Sequence, residues 1–208
     1  MKRLILTLLI LSGVGNRQPG SGSQEVLDRT LALVGGQPIT LSDARATLAL
    51  GLIEADKSTD PIPVVTTQLI DRELILREVQ RYSPASPGDT AVDARLEEIR
   101  KRLGGGAALQ RVLDLHGFTD VRLRAWVRDD LRTQAYLAQR FASASLPTDA
   151  EIAQAYGRAK AEFDKNAMNF EQAAPILRER LMASRRRELI ADWLSDLRRR
   201  TDVVILQQ

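Results

Sequence analysis

The sequence predicts a mostly α fold: a multi-helix core with a small β-hairpin joined by a C-terminal strand. Three observations carry this expectation. Ala, Leu and Arg dominate a 208-residue chain that is 44% hydrophobic and only 4% aromatic, a bias toward helix formers. Apolar residues recur three and four apart through most of the chain beyond residue 40. Two short β-prone runs, one around Gly35-Gly36 and one at Val203-Val204-Ile205-Leu206, stand at either end of that helical stretch.

Residues 1–23 read as a signal peptide and flexible lead. Met1-Lys2-Arg3 is a short positive start, Leu4 to Leu11 is apolar except for Thr7, and Ser12-Gly13-Val14-Gly15 turns small. This run is far shorter than the roughly 20 apolar residues of a membrane span. Small residues at −1 and −3 place cleavage after Gly15 or after Ser23, with an uncleaved anchor as the alternative. No cysteine follows, so a lipid anchor on cysteine is excluded. The folded unit is expected over 24–208, in the periplasm or another exported compartment, with no stable membrane span after cleavage.

The leader also accounts for the basic character of the chain. Removing Lys2, Arg3 and Arg17 from 30 basic residues leaves 27, against 27 acidic residues, so the pI near 9.5 belongs largely to the leader. A neutral mature chain argues against nucleic acid as a partner. The runs Arg185-Arg186-Arg187 and Arg198-Arg199-Arg200 have Glu188, Asp192 and Asp196 nearby and read as a solvated, salt-paired helix face. The absence of cysteine removes thiol catalysis, thiolate metal sites and redox exchange.

The elements follow in order. Residues 26–34 form a strand, of which 26–29 are either strand or irregular. Gly35-Gly36 supplies the two positive-φ positions of a tight hairpin turn. Residues 38–41 return as the second strand, and Pro38, lacking an N–H, belongs at an edge or a strand start. Thr40 or Ser42 caps a helix running to about residue 53, with Asp43 in place of the usual Glu of a capping box. After a loop at 58–63, a deeply buried helix spans about 64–82, marked by Leu69, Ile70, Leu74, Ile75, Leu76 and Val79. A proline-bearing loop at 83–88 precedes a helix whose face is Val92, Leu96, Ile99 and Leu103. Gly104-Gly105-Gly106 ends it. Leu109, Val112 and Leu113 mark a short helix stopped by Gly117, and Thr119 or Asp120 starts a long one reaching residue 141. Past Pro147, the box Thr148-x-x-Glu151 opens a helix to about residue 163. A polar connection covers 164–171. The last helix runs from about 174 to 200, with Pro175 in its first turn. Because a two-stranded hairpin is marginal alone, the terminal run 203–206 is expected to return as its third strand and tie the chain ends together.

Little of this chemistry is catalytic. His116, the single histidine, sits at a helix C-terminus, where the dipole favours a cation; without a second histidine or a cysteine it builds neither a metal site nor a relay. Gly104-Gly105-Gly106 lacks the surroundings of a phosphate loop and reads as a helix linker. Glu97-Glu98 and Asp129-Asp130 are helical neighbours about 100° apart, and read as surface charge. Trp126, Trp193, Tyr136, Tyr156 and Phe163 either pack in the core or line an apolar groove.

The segment Leu27-Asp28-Arg29-Thr30-Leu31-Ala32-Leu33-Val34, the tight Gly35-Gly36 turn, and Ile39-Thr40-Leu41-Ser42-Asp43 together resemble the opening of the SurA-like periplasmic chaperones. Gln68-Leu69-Ile70-Asp71-Arg72-Glu73-Leu74-Ile75-Leu76 is similar to the family's second helix, and Trp126-Val127-Arg128-Asp129-Asp130-Leu131 to its fourth. Pro147-Thr148-Asp149-Ala150-Glu151-Ile152 resembles the close of the N-terminal module. Trp193-Leu194-Ser195-Asp196-Leu197-Arg198 with Val203-Val204-Ile205 resembles the returning helix and strand. The likeness covers about residues 25–206 and implies a helical chaperone core closed by terminal strands. Family members often carry parvulin-type prolyl isomerase domains before the final helix. Here about 15 residues separate Tyr156 from Gln172, none of them histidine, while a domain needs about 50 or more.

The resemblance implies an exported, ATP-independent, non-enzymatic chaperone that holds unfolded outer-membrane or secreted polypeptides in a shallow apolar groove. No nucleotide motif is present, and no cofactor or metal is expected. Leu48, Leu52, Ile53, Leu103, Leu109 and Val112, on or beside the shorter helices with least room for full burial, are the candidate peptide-binding residues. The alternatives are an assembly subunit docking one fixed partner and, third, a degenerate prolyl isomerase.

Overall fold

In the computed structural model, residues 28–55, 60–82, 84–143 and 146–206 are described; the signal peptide expected over 1–23 lies outside them. Gly35 and Gly36, at φ +52° and +84°, turn strand β1 (Thr30–Val34) into strand β2 (Gln37–Thr40). Val34 pairs with Gln37, Leu33 with Pro38 and Ala32 with Ile39, and the register slips between Ala32 and Thr30. Strand β3 (Val203–Ile205) pairs antiparallel with β1 on its other side, Val34 opposite Val203 and Ala32 opposite Ile205, giving the order β2-β1-β3. The chain's end does close the hairpin. Pro38 accordingly stands on an edge strand.

Thr40 caps helix α1 (Leu41–Ala49) in a full capping box with Asp43, which settles the choice between Thr40 and Ser42. The helix stops short of the expected residue 53. Gly51 at φ +60° reverses the chain, and the Arg102 guanidinium caps the freed Leu50 and Gly51 carbonyls, both at 2.9 Å. The same device holds the hairpin: Arg77 donates to the carbonyls of Val34 (2.7 Å) and Gly35 (3.0 Å).

Helix α2 (Ile62–Tyr82) is the central element, buried along most of its length. With the sheet and the final helix it forms one core, which includes Leu31, Val34, Ile70, Leu74, Tyr136, Trp193 and Leu197. A second core joins α1, α3 (Asp89–Arg102), α4 (Gly106–His116) and α5 (Asp120–Arg140) through Leu50, Val92, Ile99, Leu113, Leu123 and Val127. Gly104 and Gly105, both at positive φ, link α3 to α4 as expected. Thr119 is the cap of α5.

Helix α6 (Asp149–Lys165) begins on the Thr148–Glu151 capping box and packs on α7 (Phe170–Arg200) around a third core of Ile152, Phe163, Ala173 and Leu177. Both helices outrun the polar connection expected at 164–171. Asn169 and Gln172 form a capping box that starts α7 a turn early, so Pro175 lies inside the helix and leaves the Glu171 carbonyl without its ladder donor. The 31 residues of α7 span about 46 Å. Its first half builds an arm with α6, and its second half returns to α2, where Arg198 clamps Asp71 and Arg200 meets Glu78. No described helix is long and apolar enough to cross a membrane.

Candidate functional site

The two segments Gln68–Ile75 of α2 and Trp126–Thr133 of α5 face each other across a stacked pair. Every third or fourth residue of each helix meets this seam, because the helical repeat returns such residues to one face. The Arg72 guanidinium lies 3.5 Å from the Trp126 ring centroid and donates to the Trp126 carbonyl at 3.3 Å. Trp126 is half-buried and packs on both large cores.

A shallow concavity opens on either side of the pair. One, about 220 Å³, is lined by Pro38, Ile39, Leu69 and Trp126 together with Asp43, Arg72, Glu73, Arg122 and Asp129. The other, about 240 Å³, is lined by Leu52, Ile53, Ile75 and Trp126 with Gln68, Asp71, Arg72, Asp130 and Thr133. The short α1 shapes the second, since its chain turns at Gly51 and places Leu52 and Ile53 in that wall. A separate depression of about 460 Å³ lies between Tyr82, Pro84, Tyr136, Gln139 and Arg140.

The charges are crowded and partly dry. Burial pushes Arg72 below its ordinary range, opposed by Asp129, Asp130 and Glu73. Burial likewise raises Asp130, Asp71 and Glu73, opposed by Arg72, Arg198 and Arg77 respectively. Asp43 is held by Arg122, and the Thr133 hydroxyl, buried in the wall, makes no hydrogen bond among the described residues. These groups do not converge as a nucleophile with its base. Among the described residues no three histidine, aspartate or glutamate side chains are placed to hold a metal ion. The arrangement offers small apolar surfaces flanked by fixed charges.

Of the residues expected to line a groove, Leu52 and Ile53 lie together in the second concavity. Ile53 is 8% exposed and Leu109 5%, each within a core; Leu48 packs half-buried on the first core, and Leu103 and Val112 half-buried on the second. The structure corrects the surface-charge reading of Asp129-Asp130. As neighbours on α5 they diverge, and in diverging they straddle Arg72, one in each concavity. Glu97 and Glu98 do sit on the surface, paired with Arg100 and Arg95. Arg72 lies in one of the two family-like segments that meet at this seam, but no local pattern in the sequence marks the residue itself.

No family model matches the chain. It is 32% identical over 164 residues to the chaperone SurA of Chromobacterium violaceum, an alignment covering 74% of this chain. The chain spans 38% of the length of that relative. In fold it is similar to a solved chain from a pair of SurA-like chaperones of Campylobacter jejuni, a virulence factor and a periplasmic protein. The TM-score is 0.50 and the identity 11%, over 87% of this chain and all of that one.

Proposed function

We infer that this chain, SurA-like in sequence and in fold, is an ATP-independent periplasmic chaperone that holds unfolded outer-membrane or secreted polypeptides and performs no catalysis. The observation that supports this best is the paired concavity at Arg72 and Trp126. Half-buried Leu52 and Trp126 supply non-directional contact, which tolerates many sequences, and the nearly buried Ile39, Ile53, Leu69 and Ile75 show only an edge behind them. Fixed charges along the same walls offer partners for the polar residues that any unfolded segment also carries. Leu52 and Ile53 are the proposed peptide contacts, with Leu48, Leu103, Leu109 and Val112 shaping the ground beneath and beside them.

The relatives' name as chaperones agrees with this reading. So does the direct α6–α7 turn at 166–169, where SurA-like proteins often carry an isomerase domain. The test is light scattering from an unfolded porin diluted out of denaturant with the protein in several-fold excess. Suppression is expected, and it should weaken when Leu52 is changed to Ser. Unchanged aggregation overturns the proposal, and co-purification with one fixed partner would favour an assembly role instead.

A further inference from the structure

The two edges of the small sheet are built differently. On β2 the edge carries Pro38, opposite Leu33, and proline offers no donor to an added strand. On β3 the sequence Val203-Val204-Ile205-Leu206 holds no proline, no charge and no bulge.

The hydrogen-bond parity of β3 fixes which backbone groups are free. The Gly35 N–H donates to the Asp202 carbonyl at 2.7 Å, and the Leu206 N–H donates to the Leu31 carbonyl at 2.9 Å. Antiparallel pairing alternates, so Asp202, Val204 and Leu206 turn their backbone groups toward β1, while Val203 and Ile205 turn theirs away. Among the described residues nothing pairs with that outer edge. It presents two N–H groups and two carbonyls at the spacing of a strand. Side chains add to this. Ile205 is 61% exposed on one face, and Val204 (41%) and Leu206 (38%) are exposed on the other.

We propose that the outer edge of β3 is a strand-capture site for an extended, β-prone segment of non-native polypeptide. Outward-facing backbone groups at Val203 and Ile205 are matched by another extended backbone, and cross-strand apolar neighbours await it on both faces. A folded partner has its strands already paired; an unfolded one does not. The client reading supplies the kind of partner only, because this edge shares no residue with the Trp126 concavities.

The experiment uses the full mature chain and a short fluorescent peptide of alternating valine and threonine with terminal lysines. Anisotropy should show saturable binding, and hydrogen exchange at Val203 and Ile205 should slow on adding the peptide. Ile205→Pro removes an outward donor without touching the β1 ladder, and should weaken binding about tenfold at an unchanged unfolding midpoint. As a readout that needs no variant, the same peptide N-methylated along one edge should bind only through its other edge, and methylation of both edges should abolish binding. Equal binding by the doubly methylated peptide, or unchanged exchange at Val203 and Ile205, overturns the proposal. A dimer that Ile205→Pro dissolves also overturns it, assigning the edge to a second copy of the chain. Failure of the porin test with peptide capture intact would sink the Trp126 groove and leave this site standing.

Discussion

Arg72 lies over the Trp126 ring, its guanidinium 3.5 Å from the ring centroid, and so fastens α2 to α5 at the point where the two concavities meet. A planar cation on an indole face is worth about 2 kcal/mol when shielded from water. Arg72→Ala should therefore lower stability by roughly 1–2 kcal/mol in urea denaturation. Arg72→Lys should recover less than half of that, because an ammonium cannot stack or reach the Trp126 carbonyl in the same geometry. Full recovery by lysine would show that charge alone matters there.

Asp130 gives a prediction with a definite sign. Its pKa is raised, chiefly by burial. The folded state then holds its proton to higher pH than the unfolded state does, so its contribution is favourable below the unfolded value and is lost as pH rises through the folded one. Asp130→Asn should thus stabilise the protein at pH 7, by at most about 1 kcal/mol since the group keeps some solvent. The gain should vanish near pH 3, where both states of the wild type are protonated. A loss at pH 7 would mean that attraction to Arg72 outweighs burial.

Removal of residues 202–208 tests the closure of the sheet. It withdraws the ladder from Leu31, Leu33 and Gly35 and uncovers the part of the first core against which Val203 packs. A few backbone hydrogen bonds at about 1 kcal/mol and part of a valine at about 1.5–3 kcal/mol total roughly 3 kcal/mol or more. For a chain of this size the midpoint should fall on the order of 6–12 °C or the protein should aggregate. A shift within a degree or two would make the tail an idle extension.

Gly35→Ala should be costly for two separate reasons. The residue sits at φ +52°, and a methyl there would strike the Arg77 guanidinium that caps the turn. Strain alone costs about 1 kcal/mol, and displacement of Arg77 adds the loss of its bonds to Val34 and Gly35. Gly36→Ala, with open space around it, should cost only the strain. Calorimetry of the two variants separates the terms.

The fold was largely legible in the sequence, because its signals are local. Gly35-Gly36, the Thr40 and Thr148 caps, and the Gly117 stop each act within a few residues. The exceptions are instructive. The early end of α1 is sealed by Arg102 from a distant helix, which no local pattern announces. The early start of α7 rests on an Asn-x-x-Gln box, a weaker variant of the usual signal. At the site, Leu52 and Ile53 could be reached from helix length. Arg72 could not, since its role arises only when α2 and α5 are brought face to face, and an arginine on a helix reads by default as solvated.

The pairing of Val34 with Val203 has a consequence for biosynthesis. The first described strand waits for a partner about 170 residues further along the chain. Until then β1 has only its hairpin partner, and α2 lacks Trp193 and Leu197 against its flank. Contacts so distant along the chain form slowly. The sheet and the core beneath it therefore close only once residues 193–205 have been made, and β1 passes the whole of that interval with its second edge unpaired.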